Sequence, residues 1–222
     1  MTGANKKTVL IAGADEALIP GLVREFQAQG FDIHNLRLPF TIPNLGSGIA
    51  SISEEERLSK KVEQTCVAIG SIDILINCIS ISPQKDPSAI GSFSAVYATV
   101  IRQLGRVVQS VLPGMIIRQT GQTITLVTGD RNPINKVAYH AAITAAVSLA
   151  DRMERAVKAD NIQCKVVFHR SSLDHIQKIK LIDKLVELAT RQNIQNSNLQ
   201  LFRKCLRQLS EITDEAIAAT VH

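Results

Sequence analysis

Short runs of aliphatic and β-branched residues alternate along the chain with longer stretches whose apolar positions recur every three or four residues. The short runs, bounded by glycine or polar residues, are typical of buried strands, and the longer stretches are typical of amphipathic helices. The predicted strands cover residues 8–12, 31–36, 72–77, 122–128 and 163–168. The predicted helices cover residues 17–29, 54–69, 92–118 and 135–159, and two or three more follow from residue 172.

Strands and helices alternate along the chain, and this order indicates an α/β fold with a doubly wound parallel sheet. We expect one domain, in which residues 1–171 form the sheet with its covering helices and residues 172–222 form C-terminal helices packed on it. The composition agrees, because 45% of the residues are hydrophobic but only 4% are aromatic. A core of Ile, Leu, Val and Ala suits a parallel sheet that is buried on both faces.

The chain is basic, with 25 Lys and Arg against 20 Asp and Glu and a formal net charge of +5. Its basic residues recur on predicted helix faces, and solvated helices explain this pattern better than a nucleic-acid surface does. Nucleic acid is therefore an unfavoured partner. Examples of these basic positions are Lys178, Lys180, Lys184, Arg203, Lys204 and Arg207.

Cysteine spacing and hydropathy point to a reducing compartment. The cysteines lie far apart in the sequence and form no metal-ligand pattern with histidines, so neither a metal site nor a disulfide framework is indicated. The N-terminal apolar run is too short for a signal peptide, and no run approaches the roughly 18 apolar residues that span a bilayer. We therefore expect a cytoplasmic protein without a membrane partner. The cysteines are Cys66, Cys78, Cys164 and Cys205.

Four segments follow one another in a distinctive order. They are I-D-I-L-I-N from Ile72, L-P-G-M from Leu112, G-Q-T-I-T-L-V-T from Gly121 and A-Y-H-A-A from Ala138. In order and spacing they resemble the short-chain dehydrogenase/reductases, over roughly residues 7–168. The resemblance implies a Rossmann-like domain and an NAD(P)-dependent oxidoreductase activity. The matching features belong to the scaffold, whereas the functional motifs of the family are altered.

The family's nucleotide loop, T-G-x-x-x-G-x-G, receives the pyrophosphate on backbone N–H groups and a helix N-terminus. At the matching positions this chain keeps only Gly13, and Ala17 and Ile19 replace the other two glycines. Asp15 and Glu16 add negative charge beside the place of two phosphates, and each such repulsion at about 4–6 Å costs on the order of 1 kcal/mol. We therefore expect a plain strand-to-helix turn with Gly13 as a relic, and no cofactor in this chain.

Two further positions are interpreted as relics of a cofactor site. Arg37 follows the second predicted strand, where relatives often use arginine for the 2′-phosphate of NADP. Only 15 residues separate it from Ser53, an interval in which a relative would fit a helix and another strand, so we expect the adenine side of the pocket to be truncated. Asn77 keeps the first position of the family's N-N-A-G, whereas the helical asparagine of the catalytic tetrad aligns near Val100.

Catalysis in the family uses a tyrosine as general acid/base, a lysine four residues later that lowers its pKa, and a serine that holds the substrate oxygen. Tyr139 matches the tyrosine, but Ile143 stands in the lysine position. A phenol with a pKa of about 10 transfers protons poorly near neutrality without a nearby cation. Thr128 can replace the serine hydroxyl, and His169 and Arg170 replace the family's Pro-Gly after the last predicted strand. We expect Thr128 and Tyr139 to be relics that are not catalytically competent.

These departures favour a catalytically inactive family member that serves as the noncatalytic subunit of a heteromeric NAD-dependent dehydrogenase. An intact relative would supply NAD(P) and bind through two long helices, from Val96 to Val111 and from Ala138 to Ala156, because these helices pack between neighbours in the family. Some heteromeric relatives act on acyl-CoA thioesters, so a CoA thioester is one candidate substrate. Two alternatives stay open: an atypical NAD(P)-dependent oxidoreductase that uses Tyr139 and Thr128, and a regulatory binding module.

Overall fold

A computed structural model describes residues 6–13, 18–38, 52–81, 105–129, 136–170 and 173–190 of the chain. The strands are β1 (Thr8–Gly13), β2 (Asp32–Arg37), β3 (Ile74–Ile81), β4 (Gly121–Gly129) and β5 (Ile162–Arg170). The helices are α1 (Ile19–Ala28), α2 (Ile52–Ile69), α3 (residues 105–118 in the described part), α4 (Lys136–Ala156) and α5 (His175–Thr190). A 3-10 helix, Lys158–Asp160, follows α4.

All five strands form one parallel sheet in the order β2-β1-β3-β4-β5. The chain first moves from β1 to β2 at one side of the sheet, then returns past β1 to β3 and continues outward to β4 and β5. The winding direction therefore reverses at β1, which is the property that defines a doubly wound sheet. The predicted α/β fold with a Rossmann-like, doubly wound parallel sheet is confirmed.

Helices cover both faces of this sheet, because its strands are apolar on both sides. α2, α3 and α4 pack on one face around a core that includes Leu75 and Val111. α1 and α5 pack on the other face around a second core that includes Leu22 and Leu185. Both cores consist mostly of aliphatic side chains, as the composition predicted. None of the described helices combines the length and the apolar content needed to cross a bilayer.

The carboxyl end of α5 is fastened to the sheet by two buried side chains. Lys165 Nζ on β5 and Gln122 Nε2 on β4 both donate to the carbonyl oxygen of Leu188, at 3.0 Å and 2.6 Å. Lys165 is only 4% exposed. Burial lowers the pKa of its ammonium group below the ordinary value, and the carboxylate of Glu154 acts in the opposite direction. The negative end of the α5 dipole stabilises this buried cation.

The predicted elements that fall within the described residues are present, with shifts at their ends. The third strand, predicted over residues 72–77, runs from Ile74 to Ile81 because β4 continues to pair with it as far as Gly129. The helix predicted to end at residue 159 ends at Ala156, and a 3-10 turn takes the remaining residues. The first part of the predicted helix over 92–118, including Val96 and Val100, and the predicted helices beyond residue 190 lie outside the described residues.

Candidate functional site

Three of the predicted site residues lie at the carboxyl ends of strands, where ligands bind in doubly wound sheets. Gly13 ends β1 and pairs in register with Arg37 at the end of β2, whereas Thr128 lies at the end of β4, on the far side of β3. Asn77 lies further back, in the middle of β3. Tyr139 belongs to the first turn of α4, and its side chain lies outside the described residues. The structure therefore joins Gly13 to Arg37 and separates both from Thr128.

Gly13 has a role within the sheet itself. Its φ is +135°, which L side chains rarely adopt, and a Cβ built on it would overlap the carbonyl oxygen of Cys78 on β3. The space that the missing side chain leaves is therefore filled by backbone of the neighbouring strand and is not open to a phosphate. The packing of β1 against β3 requires glycine here whether or not a nucleotide binds.

The start of α1 is a poor site for a pyrophosphate, which is held by the free N–H groups of a helix's first turn. Pro20 stands in that turn and has no N–H, and the N-cap position is occupied by Leu18, whose side chain has no hydrogen-bonding group. Ile19, in place of the family's third glycine, is 6% exposed and packs into the core between α1 and the sheet. The other altered loop positions, within residues 14–17, lie outside the described residues. The residues that are described do not fit a dinucleotide at this place.

Arg37 ends the outermost strand of the described sheet, with its side chain exposed. Its carbonyl oxygen accepts a hydrogen bond of 3.2 Å from Lys61 Nζ on α2. The chain passes from β2 through α2 to β3, and in the described part of this connection there is one helix and no strand. Among the described elements, Arg37 thus stands beside α2 and not beside a further strand.

Asn77 is a buried amide without a described partner. It is 1% exposed, and neither its Nδ2 nor its Oδ1 has a hydrogen-bond partner in the structure as described. It pairs in register with Ala12 on β1 and Thr125 on β4. A buried polar group left unpaired costs about 1–3 kcal/mol. Asn77 therefore keeps hydrogen-bonding capacity that no described residue uses.

Thr128 is in contact with a histidine that sequence reasoning did not assign to the site. Thr128 Oγ1 lies 2.6 Å from Nε2 of His169, its register partner on β5. The five histidines are isolated in the sequence, and 41 positions separate these two residues. The available signal was the replacement of Pro-Gly by His169-Arg170 at the end of a strand parallel to that of Thr128. Only the pairing of β4 with β5 turns that replacement into a contact.

α4 is the helix on which the family resemblance places the catalytic tyrosine and lysine. It is continuous from Lys136 to Ala156, so position 143 lies about one turn after Tyr139. That place holds the family's lysine and here it belongs to Ile143. The side chains of both residues lie outside the described part of the chain, and the assignment of the two positions rests on sequence and helical register.

Burial makes two of the described thiols poor nucleophiles. Cys66, Cys78 and Cys164 form no disulfide bond with one another. Burial raises the pKa of the Cys164 thiol to about 11, against a hydrogen bond with Thr123 that lowers it. Burial also raises the pKa of Cys66. Within the described residues there is no group of three His, Cys, Asp or Glu side chains that could hold a metal ion.

Similarity to known proteins is clearest in the middle of the chain. The sequence pattern of the family described as short chain dehydrogenase matches residues 49–169, which is more than half of the chain. The match begins after the positions of the nucleotide loop and of β2. Among curated proteins, none matches the sequence.

Several solved structures share the fold. A short-chain dehydrogenase from Streptomyces avermitilis has a TM-score of 0.64 at 12% identity, over 99% of each chain. A metagenomic short-chain oxidoreductase in complex with NADP has a TM-score of 0.56 at 18% identity, over 83% of this chain and 79% of its own. A protein described as a dehalogenation enzyme has a TM-score of 0.62 at 17% identity, over 83% of this chain and 91% of its own. Identities this low show the fold alone, and one fold supports more than one activity.

Proposed function

The chain belongs to the short-chain dehydrogenase family, and we propose that it is a catalytically inactive member that serves as the noncatalytic subunit of a heteromeric NAD-dependent dehydrogenase. In this proposal an intact family partner holds the NAD(P) and the catalytic residues, in the cytoplasm. This chain stabilises the complex and contributes a wall of the substrate pocket. A CoA thioester is the candidate substrate class. The observation that carries the proposal is the start of α1.

The described residues at the end of β1 and the start of α1 are poorly suited to hold phosphate. Pro20 removes an N–H that an anion would need. Ile19 is buried in the core that α1 shares with α5, and Gly13 is required by the close approach of β1 to β3. A dinucleotide needs several backbone donors converging on its pyrophosphate, and this helix start offers few. These features support a chain that does not hold its own cofactor.

The lysine position supports the loss of proton transfer. General acid/base catalysis contributes about 10²–10⁴-fold when the pKa of the group matches the working pH. Ile143 brings no positive charge to the turn after Tyr139, so the phenol lacks the neighbour that lowers its pKa in relatives. This substitution acts independently of the cofactor site. The two changes together favour a noncatalytic subunit over an atypical reductase.

The partner surface is proposed on α3 and α4, the helices that pack between neighbours in the family. In the described part of α3, Val107 and Met115 face the core. Ile117, near the end of the same helix, is 83% exposed. Ile117 thus gives this helix an exposed aliphatic side chain that a partner could cover. The described part of α4 presents small side chains, including Ala145 and Ser148, that allow close helix packing.

The first test is purification of the tagged chain from its own host, with measurement of native mass and identification of co-purifying chains. We expect a fixed-stoichiometry complex with a family member that has the complete glycine loop and the Tyr-Lys pair. Titration of the isolated chain with NADH and NADPH is expected to show no saturation at millimolar concentration.

Three outcomes would contradict the proposal. A dissociation constant below about 100 µM for NADH or NADPH, worth roughly 5–6 kcal/mol, would favour the atypical oxidoreductase. A homo-oligomer without a companion chain would remove the heteromeric role. Nucleic-acid affinity that falls steeply with salt would favour a regulatory binding module.

A further inference from the structure

The contact between Thr128 and His169 lies at the edge of the sheet where ligands bind in this class of fold. The two residues are register partners near the carboxyl ends of β4 and β5, and ligand sites of open α/β sheets lie beyond this edge. Alternate strand residues face the same side. Leu126 and Val167, two residues earlier on each strand, pack in the core beneath α1 and α5, so the hydroxyl and the imidazole lie on that same face.

The contact is a short and partly buried hydrogen bond. Thr128 Oγ1 and His169 Nε2 are 2.6 Å apart, slightly shorter than the usual range of about 2.7–3.2 Å for nitrogen–oxygen hydrogen bonds. Thr128 is 5% exposed, so water competes little for its hydroxyl. A hydroxyl has one proton to donate and the imidazole nitrogen either accepts it or donates its own. In both tautomers the side of the hydroxyl that faces His169 is closed to another molecule.

We propose that His169 is an internal ligand of Thr128, and that its imidazole occupies the place that an oxygen of a small carbonyl compound would otherwise take. The inference rests on the proposed function, in which this chain does not use the Thr128 position for hydride transfer. It adds a specific closing group, supplied by β5, at the position where the family resemblance places Pro-Gly.

The proposal predicts what removal of the imidazole creates. Replacing His169 with Ala leaves a space of the size and shape of a five-membered ring, with the Thr128 hydroxyl at its wall. Small ring compounds that carry a hydrogen-bonding atom match that space. Imidazole tests the shape directly, and cyclohexanone tests whether the position accepts a carbonyl oxygen.

The experiment compares the His169→Ala variant, the Thr128→Val/His169→Ala double variant and the wild-type chain. Binding of imidazole and of cyclohexanone is measured by ligand-observed NMR and by the shift of the melting temperature. We expect both probes to bind His169→Ala at least about fivefold more tightly than the double variant, since one hydrogen bond is worth about 1 kcal/mol. The wild-type chain is expected to bind neither probe at this site.

Equal affinities of the single and double variants would overturn the proposal, and so would binding of imidazole without binding of cyclohexanone. If His169→Ala fails to fold, the ¹⁵N chemical shift of His169 Nε2 is compared in the wild-type chain and in Thr128→Val. A shift that does not change would also overturn it. Titration of the wild-type chain with NADH separates the two hypotheses, because cofactor binding contradicts the proposed function and leaves the probe results standing.

Discussion

At the scale of single residues, Gly13 is held by the sheet rather than by a ligand. We predict that Gly13→Ala lowers the free energy of unfolding by about 3 kcal/mol or more. Backbone strain at such a φ costs about 1–3 kcal/mol, and the new Cβ would meet the main-chain carbonyl of Cys78, which cannot rotate away. Urea denaturation followed by circular dichroism measures the change.

Gly30→Ala is the matched control for that measurement. Gly30 also has a positive φ, of +84°, but a Cβ there meets nothing within 4 Å. We expect this variant to lose about 1 kcal/mol from backbone strain alone. If Gly13→Ala were no worse than Gly30→Ala, the close approach of β1 to β3 would not be what retains Gly13.

Thiol chemistry gives a second prediction at this scale. Because the thiolate is the reactive form and burial raises the pKa of Cys164 to about 11, only about one molecule in a thousand carries this thiolate at pH 8. We expect iodoacetamide to modify the half-buried Cys66 well before Cys164 in the folded chain, and both at similar rates in urea. Peptide mass spectrometry over time follows each site. Faster reaction of Cys164 would show that its strand opens readily.

At the scale of elements, Lys165 holds α5 against the sheet through a hydrogen bond to Leu188, and this contact buries its charge. Because burial lowers its pKa in the folded chain, the unfolded chain binds more protons in the pH range just below the ordinary value of 10.5. The free energy of unfolding therefore rises with pH in that range. We predict that the stability of the wild-type chain relative to Lys165→Met increases as pH approaches 10.5 from neutrality.

Denaturation of both proteins at several pH values tests this sign, and Lys184→Met on the exposed side of α5 is the matched control. The difference between the wild-type chain and Lys184→Met is expected to change little with pH. A difference for Lys165→Met that falls as pH rises would mean that the ammonium form is favoured in the folded chain, against the effect of burial.

The elements themselves were predictable because their signals are local. Runs such as T-V-L-I-A and I-L-I-N, bounded by glycine or polar residues, fix buried strands, and the β1-α1-β2 order fixes their parallel pairing. The altered loop at Ile19 and the missing lysine at position 143 were also visible, since both depend on residue type at a known spacing. The convergence of Gln122 and Lys165 on Leu188 was not visible, because it depends on where α5 crosses the sheet.

Within the candidate site, the contact between Thr128 and His169 was likewise not predictable from the sequence. The sequence indicates Thr128 as a serine equivalent and His169 as part of the replacement for Pro-Gly, and it gives no link between them. Their proximity depends on the register of β4 against β5, and a slip of one residue would turn one side chain to the other face. Sequence spacing carries no information on that register.

At the scale of the whole molecule, two exposed apolar side chains allow a test of which helix carries the partner surface. Ile117 on α3 is 83% exposed and Val67 on α2 is 76% exposed. We predict that Ile117→Glu weakens binding of the proposed family partner at least about tenfold, because it buries a charge in an apolar interface, whereas Val67→Glu leaves binding unchanged. Co-purification yield and native mass measure both.

Both variants are expected to retain wild-type melting temperatures, because neither side chain contributes to the core. Loss of the partner with Val67→Glu and not with Ile117→Glu would move the interface to α2. If both variants retain the partner, the interface lies away from the described ends of these two helices.

The contact between α1 and α5 has a consequence for the order in which the protein matures during synthesis. α1 ends at Ala28 and α5 begins at His175, so the ribosome makes the intervening chain, at about 5–20 residues per second, before the partner of α1 emerges. For roughly 7–30 s the apolar side of α1, with Leu22 and Phe26, has no C-terminal helix to cover it. Because α1 is synthesised long before the helix that covers it, we expect the nascent chain to be most prone to aggregation during that interval.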